Sequence, residues 1–351
     1  MRDNKLKNLI SFNNEFNIQL LIHSGVIEYI GGFDPDEMWE ARGLAGHKGE
    51  EFQATMERWS QLGKEKLKND SKFQRELAIF INEVLELFNA IINKQDDIVN
   101  KYIGRKEFHF IIGMNRTGGT YLQSEVSRAF DWPMQKMIKS LVHDGIPYPM
   151  FIKGDKHNRV YVESNLAWRR PENYYNFIFQ LSQFLVYINQ VAKDKKKVVL
   201  KNVRFSHSIS LLDRIFGDSA NYLITVRHPA AIGFSLFENT LKSSYNDVTI
   251  DDAPMALVNY LIKWKNTYTE ILRDGLPKGE ITPILFSEMD MFLVDFFKKH
   301  GFDSEPSGLR ITPRNYDYDC WDGKEVNDIM NQIEKLWSFY GLDFPVPKQI
   351  L

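Results

Sequence analysis

The segment FHFIIGMNRTGGTYL, residues 108–122, is the part of the sequence that says most about the fold. It begins with a short apolar run, 108–112, that is typical of a buried strand, and it continues through a glycine-containing loop into a helical segment at 121–130. In that arrangement the backbone N–H groups of the loop and the positive end of the helix dipole point to one place. The stretch therefore favours the binding of a phosphate or sulfate group.

The spacing of this loop matches a P-loop that lacks its lysine. After Gly113 and four further residues come Gly118, Gly119 and Thr120. A glycine thus stands where ATP- and GTP-binding loops carry the lysine that reaches the β- and γ-phosphates, which argues against an ordinary kinase or ATPase. A cation remains inside the loop, because Arg116 lies two residues before Gly118.

A second anion-binding signal lies in NYLITVRHPAAIGFS, residues 221–235. The apolar run 222–226 predicts another strand, and it is followed by Arg227, whereas nucleoside triphosphatases usually carry there an acid that helps to hold magnesium. A guanidinium at a strand end suits a phosphate, and Ser235 follows on a helix that Pro229 can start. Two such loops predict a nucleotide with two separated phosphate groups.

The rest of the chain predicts an α/β protein with a helical N-terminal extension. Short apolar runs at 108–112, 198–200, 222–226 and 281–286 alternate with amphipathic segments, which favours a parallel sheet flanked by helices. Residues 1–105 show helical periodicity and hardly a strand signal, so the predicted domains are 1–105 and 106–351. Between the first two runs, the sequence predicts a hairpin at 150–162 and a long helix that begins near Pro171.

Four segments in this order resemble the sulfotransferase superfamily, which uses 3′-phosphoadenosine 5′-phosphosulfate (PAPS). The family's phosphosulfate loop is similar to residues 116–122, and its V-R-D/N/H-P motif, with a serine eight residues after the arginine, is similar to residues 226–235. Residues 199–204 are similar to its L-K-x-P-R segment, and residues 284–289 to its strand ending in Y-E-D-L. The chain departs from the family at Gly119, where threonine or serine is usual, and at Val203, where proline is usual.

The resemblance implies a sulfotransferase fold of the P-loop NTPase type, with PAPS as the sulfuryl donor and 3′-phosphoadenosine 5′-phosphate (PAP) as the product. The residues that it assigns to the nucleotide are Asn115, Arg116, Thr117, Gly118, Gly119, Thr120, Tyr121, Arg227 and Ser235. Other roles stay open for two of them, because Thr120 could instead cap the following helix and Tyr121 could belong to the core.

Sulfuryl transfer, by analogy with phosphoryl transfer, should depend mainly on positioning and electrostatic stabilisation. Arg116 is the candidate for offsetting the charge on the departing phosphate oxygen. Lys201 either faces the sulfuryl group or is an exposed residue at the sheet edge. The base that takes the proton of the acceptor is sought among His143, Asp144 and His207.

Composition narrows the class of protein further. The 44 Lys and Arg nearly balance the 46 Asp and Glu, so the net charge of −2 excludes a broad nucleic-acid footprint. One cysteine, Cys320, cannot form an internal disulfide, and the N-terminus lacks the apolar stretch of a secretory signal, which together predict a soluble cytoplasmic protein. No transmembrane segment and no metal site are expected, because long apolar runs and paired histidine spacings are missing.

The leading hypothesis is thus a sulfotransferase acting on a hydroxyl or amine of a small-molecule or lipid acceptor, with a homo-oligomer left open. A P-loop phosphotransferase with an unusual lysine is the first alternative. A non-catalytic nucleotide-binding module is the second.

Overall fold

The computed structural model describes residues 50–132, 171–201, 205–242, 253–308 and 323–348. They divide into two compact units, of which the first contains 50–105 and 171–196 and the second contains the others. The division at residue 105 follows the sequence analysis. Residues 171–196, which the sequence analysis assigns to the second domain, group instead with the first unit. The predicted hairpin at 150–162 and the first 49 residues lie outside the described residues.

Helices lie between the consecutive strands of the second unit, as predicted. In chain order the elements are α1 (Glu50–Asn69), α2 (Ser71–Ile92), α3 (Asp96–Ile103), β1 (Glu107–Gly113), α4 (Gly119–Ala129), α5 (Pro171–Val191), β2 (Lys197–Lys201), α6 (Ile209–Phe216), β3 (Ala220–Val226), α7 (Pro229–Lys242), α8 (Ala253–Glu270), β4 (Glu280–Leu285), α9 (Met289–Lys299) and α10 (Gly323–Phe339). None of the helices in the described part of the chain is long and apolar enough to cross a lipid bilayer.

The first unit is held together by the packing of α5 on α2 and α3. Helix α2 starts at Asp70, whose carboxylate accepts two backbone N–H groups of the first turn at 3.0 Å. Its buried face meets α5 through Phe88 and Phe179, whose rings meet edge-on with centroids 5.8 Å apart. The side chain of Asn189 in α5 donates to the carbonyl of Tyr102 in α3 at 3.0 Å. These contacts explain why α5 belongs with the N-terminal helices.

The second unit is built on a four-stranded, fully parallel sheet in the order β2-β1-β3-β4. The central strand β1 is buried beyond its first residue, which accounts for its nearly continuous apolar sequence. Phe110 of β1 stacks on Tyr222 of β3 with ring centroids 5.6 Å apart, and Phe108 packs against Phe216 of α6 at 4.6 Å. This aromatic layer holds α6 against the sheet.

The strand order places a switch point between β1 and β3. From β1 the chain passes to β2 on one side, and it then crosses back so that β3 lies on the other side of β1. In open parallel sheets, ligands bind outside the carboxyl ends of the strands at such a point. Here the loop after Gly113 and the residue Arg227 follow those two strand ends. The topology thus brings the two predicted anion-binding segments to one edge of the sheet.

Candidate functional site

The β1–α4 loop, residues 113–118, depends on two glycines. A Cβ on Gly113 would lie 2.6 Å from the carbonyl oxygen of Thr225 in β3, so only glycine allows β1 and β3 to approach there. Gly118 has a φ of +84°, and a Cβ on it would lie 2.9 Å from the Cε of Met289 and 3.0 Å from the ring of Phe286. Both positions therefore require the residue that the sequence has.

The hydroxyl of Thr117 ties the loop to β3. It donates to the carbonyl of Met114 at 2.7 Å and lies 2.6 Å from the hydroxyl oxygen of Thr225. Thr117 is only 1% exposed. The resemblance assigns Thr117 to the nucleotide, but its hydroxyl is buried and bonded within the protein. Only the backbone N–H of Thr117 remains as a candidate contact for the nucleotide.

The start of α4 presents the polar groups that remain for an anion. Its N-cap residue is Gly118, which has no side chain to bond the first N–H groups of the helix. Thr120 in the first turn and Asn115 in the loop are both exposed. Gly119 is buried in that first turn, so its contribution is backbone only. A helix start of this kind favours a negatively charged ligand.

Two hydrogen bonds join the two predicted motifs in space. The Nε of Arg116 donates to the Oγ of Ser235 at 2.9 Å, and the Nη1 of Arg227 donates to the carbonyl of Arg116 at 3.0 Å. Arg116 has a φ of +70°, which lies in the left-handed region that few residues other than glycine adopt. Ser235 is 3% exposed and lies on α7, so the donor–acceptor pair connects the loop to that helix.

Arg227 is also held from other directions. The carbon at the centre of its guanidinium lies 4.3 Å from the centroid of the Phe286 ring, which is the geometry of a cation–π contact. Its carbonyl accepts a hydrogen bond from the indole N–H of Trp264 in α8 at 2.9 Å. Neither Phe286 nor Trp264 has a predicted role in the site. Trp264 lies within α8, and no sequence motif around it indicates a contact with Arg227.

Lys201 brings an aliphatic stem alongside the loop. It is the last residue of β2 and only 8% exposed. A Cβ on Gly119 would lie 3.5 Å from the Cε of Lys201 and 3.9 Å from its Cδ. The amine of Lys201 is thus carried beside the residue at which a P-loop would have its own lysine. Of the two roles left open by the sequence, the exposed edge residue is wrong, because Lys201 is buried.

Tyr121 bonds to α9. Its hydroxyl donates to a carboxylate oxygen of Asp290 at 2.6 Å, and the residue is partly buried. Burial and then the neighbouring Asp290 raise the pKa of the Tyr121 hydroxyl above its ordinary value, so the phenol is protonated at neutral pH. The predicted contact of its ring with an adenine stays a prediction.

The candidates for the general base lie outside the part of the chain whose side chains the structure describes. His143 and Asp144 lie outside those residues, and His207 is described only as the end of a short 3₁₀ helix, Phe205–His207. His228, next to Arg227, has a structural contact. Its Nδ1 accepts the N–H of Ala230 at the start of α7, and burial lowers its pKa to about 4, so that the ring is neutral at pH 7.

The resulting site combines two guanidinium groups, the stem of a lysine and a helix N-terminus at the carboxyl edge of the sheet. Such a set of donors is suited to charge-assisted hydrogen bonds with a polyanion. Among the described residues, no three His, Cys, Asp or Glu side chains are grouped so that they could hold a metal ion.

Comparison of the chain with family models, with curated proteins and with solved structures finds no significant match.

Proposed function

We propose that the chain is a sulfotransferase that moves a sulfuryl group from PAPS to a hydroxyl or amine of a small-molecule or lipid acceptor. The observation that carries the proposal is the pair of hydrogen bonds linking Arg116 to Ser235 and Arg227 to the Arg116 carbonyl. Two anion-binding segments that are distant in sequence thus meet at one edge of the sheet. A nucleotide with a phosphosulfate at one end and a 3′-phosphate nearby matches two adjacent cationic positions.

The local geometry supports the fit of the phosphosulfate to the β1–α4 loop. Gly113 and Gly118 leave no room for side chains, so the backbone follows a tight path into the start of α4. Thr120 is exposed in the first turn and would donate its hydroxyl to the same group. Because Thr117 and Gly119 supply no free hydroxyl, the backbone N–H groups carry more of the binding than in the family's usual loop.

The two arginines would have different tasks. In the proposed reaction the acceptor oxygen or nitrogen forms a bond to sulfur, the bond from sulfur to the phosphate oxygen breaks, and the proton of the acceptor passes to a base. Within the described residues, Arg116 uses its Nε for Ser235 and keeps its terminal nitrogens for the departing oxygen. Arg227 would hold the 3′-phosphate. Lys201, with its stem beside Gly119, would face the sulfuryl group.

Arg227, the residue that follows β3, favours a sulfotransferase over a phosphotransferase. A magnesium-dependent enzyme needs an acid near that strand end, and here Arg227 follows Val226. A cation at this position would repel a magnesium ion. The non-catalytic nucleotide-binding module shares the same anion site and differs only in the absence of transfer.

Thermal unfolding without ligand, with PAP and with Mg-ATP tests the proposal. We expect PAP without magnesium to stabilise the protein, by about 2.7 kcal/mol at a concentration of about 100 times its Kd, and Mg-ATP to have no comparable effect. Transfer from PAPS to a panel of phenols, aliphatic alcohols, amines and lipid hydroxyls is then measured. Stabilisation by Mg-ATP alone would instead support the phosphotransferase. Binding of PAP without transfer to any acceptor class would support the module.

A further inference from the structure

Phe286 lies where β4 meets the site. It is the first residue after β4, and its side chain is only 8% exposed. Leu285 pairs with Val226 in the parallel register, so Phe286 and Arg227 follow neighbouring strand ends. The ring centroid is 4.3 Å from the central guanidinium carbon of Arg227. The sheet register therefore delivers the aromatic face to the cation.

The contacts of Arg227 limit the motion of its guanidinium group. A ring on the face of a guanidinium uses none of the N–H donors, since these lie in the plane of the group. The Nη1 donor is directed to the carbonyl of Arg116, and the backbone of Arg227 is held by Trp264. The ring of Phe286 thus limits the tilt of the guanidinium plane, and the Nη1 hydrogen bond limits rotation within that plane.

We propose that Phe286 is a positioning residue that orients Arg227 for the 3′-phosphate of the nucleotide. The inference rests on the proposed function and adds to it the residue that prepares the second phosphate site before the ligand binds. An ordered guanidinium loses less side-chain entropy on binding than a freely rotating one, so the ring increases affinity without touching the nucleotide.

The ring has a second contact that the experiment must separate. A Cβ on Gly118 would lie 3.0 Å from Phe286, so the ring also supports the β1–α4 loop. Met289 supports the same glycine, with its Cε 2.9 Å from that Cβ position. Met289→Leu is therefore the matched control, because it alters the support of the loop and leaves the aromatic face beside Arg227 in place.

The test compares the affinities of PAP and adenosine 5′-monophosphate, which lacks the 3′-phosphate, by calorimetry. We expect Phe286→Leu to weaken PAP binding by about three- to tenfold while changing the affinity for the monophosphate by less than about twofold. Phe286→Tyr should restore PAP binding. Met289→Leu should change both affinities by the same factor, so that their ratio stays that of the wild type.

Fluorinated phenylalanines at position 286 make the test independent of folding defects. Increasing fluorination removes the negative charge of the ring face at nearly constant size, and PAP affinity should fall in step with it. An unchanged ratio of the two affinities in Phe286→Leu and across the fluorinated series would overturn the role of Phe286. A wild-type protein that binds PAP no better than the monophosphate would instead overturn the proposed function.

Discussion

Charged clusters lie at both ends of the strands of the parallel sheet, and they are built differently. The amino edge is the side on which the strands begin, and the carboxyl edge is the side on which they end. At the amino edge, the ammonium of Lys197 lies 3.2 Å from a carboxylate oxygen of Glu107 and 2.6 Å from Nδ1 of His300. At the carboxyl edge, Arg116 bonds to a hydroxyl and Arg227 to a carbonyl and an aromatic face. Opposite charges meet at the first edge, whereas the contacts described at the second join the two arginines to a hydroxyl, a carbonyl and an aromatic ring.

At the amino edge, the low pKa of Glu107 indicates that its carboxylate is stabilised by neighbouring groups. Contact with His109 and then with Lys197, against the cost of burial, lowers the pKa of Glu107 to about 2. Nε2 of His109 lies 3.1 Å from Glu107, although neither ring nitrogen of His109 has a hydrogen bond of good geometry. We regard this pair as a close polar contact. The amino edge therefore contributes to stability, and the proposed anionic ligand would bind at the carboxyl edge.

Gly118→Ala should have the largest effect, because it disturbs the carboxyl edge directly. The substitution combines a left-handed backbone with contacts to Phe286 and Met289 that are too close. We expect the free energy of unfolding to fall by about 2–4 kcal/mol in urea denaturation, and PAP affinity to fall with it.

Gly301→Ala is the matched control for that substitution. Gly301 has a φ of +77° and no atom within 4 Å of the position that a Cβ would take. It should cost only the backbone term, about 1–2 kcal/mol, with PAP affinity unchanged. Equal losses of stability in the two variants would show that the packing under Gly118 contributes nothing.

Arg227→Ala and Lys197→Ala should separate binding from stability. Arg227→Ala removes a charge-assisted contact with the ligand and should weaken PAP binding about 10- to 100-fold. Lys197→Ala breaks the pair with Glu107 at the other edge and should lower the free energy of unfolding by about 1–2 kcal/mol at unchanged PAP affinity. Calorimetry and urea denaturation on both variants measure the contrast. A similar PAP affinity in wild type and Arg227→Ala would contradict the assigned site.

Acid should destabilise the protein first through its histidines. Burial lowers the pKa of His109, and burial followed by Lys197 lowers that of His300 to about 4. Below about pH 6.5 these rings are protonated in the unfolded chain and stay neutral in the folded one, so their stabilisation is lost as the pH falls towards 4. The free energy of unfolding should be at least about 2 kcal/mol lower at pH 5 than at pH 7.5, because the buried His228, with its pKa of about 4, alone accounts for about that amount.

His300→Gln tests the source of this pH dependence. Glutamine can still accept a hydrogen bond from Lys197 but does not titrate, so the loss between pH 7.5 and pH 5 should be smaller in the variant. His228 at the carboxyl edge keeps its own contribution in both proteins. The same loss in variant and wild type would exclude His300 as a source. At still lower pH, protonation of Glu107 adds a further loss between about 4.5 and 2.

Lys299→Ala should have the smallest effect. Its ion pair with Glu280 also lies at the amino edge, at 3.4 Å, but both side chains are largely exposed. We expect a change below about 0.5 kcal/mol in urea denaturation, because exposed pairs are screened and cost side-chain entropy. A loss as large as that of Lys197→Ala would mean that burial does not distinguish the pairs of this edge.

Local patterns predicted the four strands of the second unit and the start of α5 in the first unit. The four apolar runs correspond to β1–β4, and the helix near Pro171 begins at that residue. The helix after the loop begins at Gly119, two residues before the predicted 121; Gly118 is its N-cap residue, and the carbonyl of Gly118 accepts the N–H of Leu122. Apolar periodicity and glycine and proline positions are local signals, which is why they could be read from the chain alone.

Contacts between distant residues could not be read in the same way. The Thr117 hydroxyl is bonded to Thr225, which lies far away in the sequence. The grouping of α5 with the N-terminal helices depends on which apolar helix faces pack together, and an apolar face does not by itself specify its partner. Phe286 was part of a quoted segment, yet only the β3–β4 register shows that its ring faces Arg227.

The order of strands and helices, the two glycines of the loop and the cation after β3 follow from the amino-acid sequence, since each depends on neighbours along the chain. Packing in three dimensions fixes which hydroxyls are buried, which arginine bonds to which partner, and how one ring and one carbonyl contact Arg227. Those outcomes depend on strand order and register, and these arise from the packing of the whole sheet rather than from any single segment.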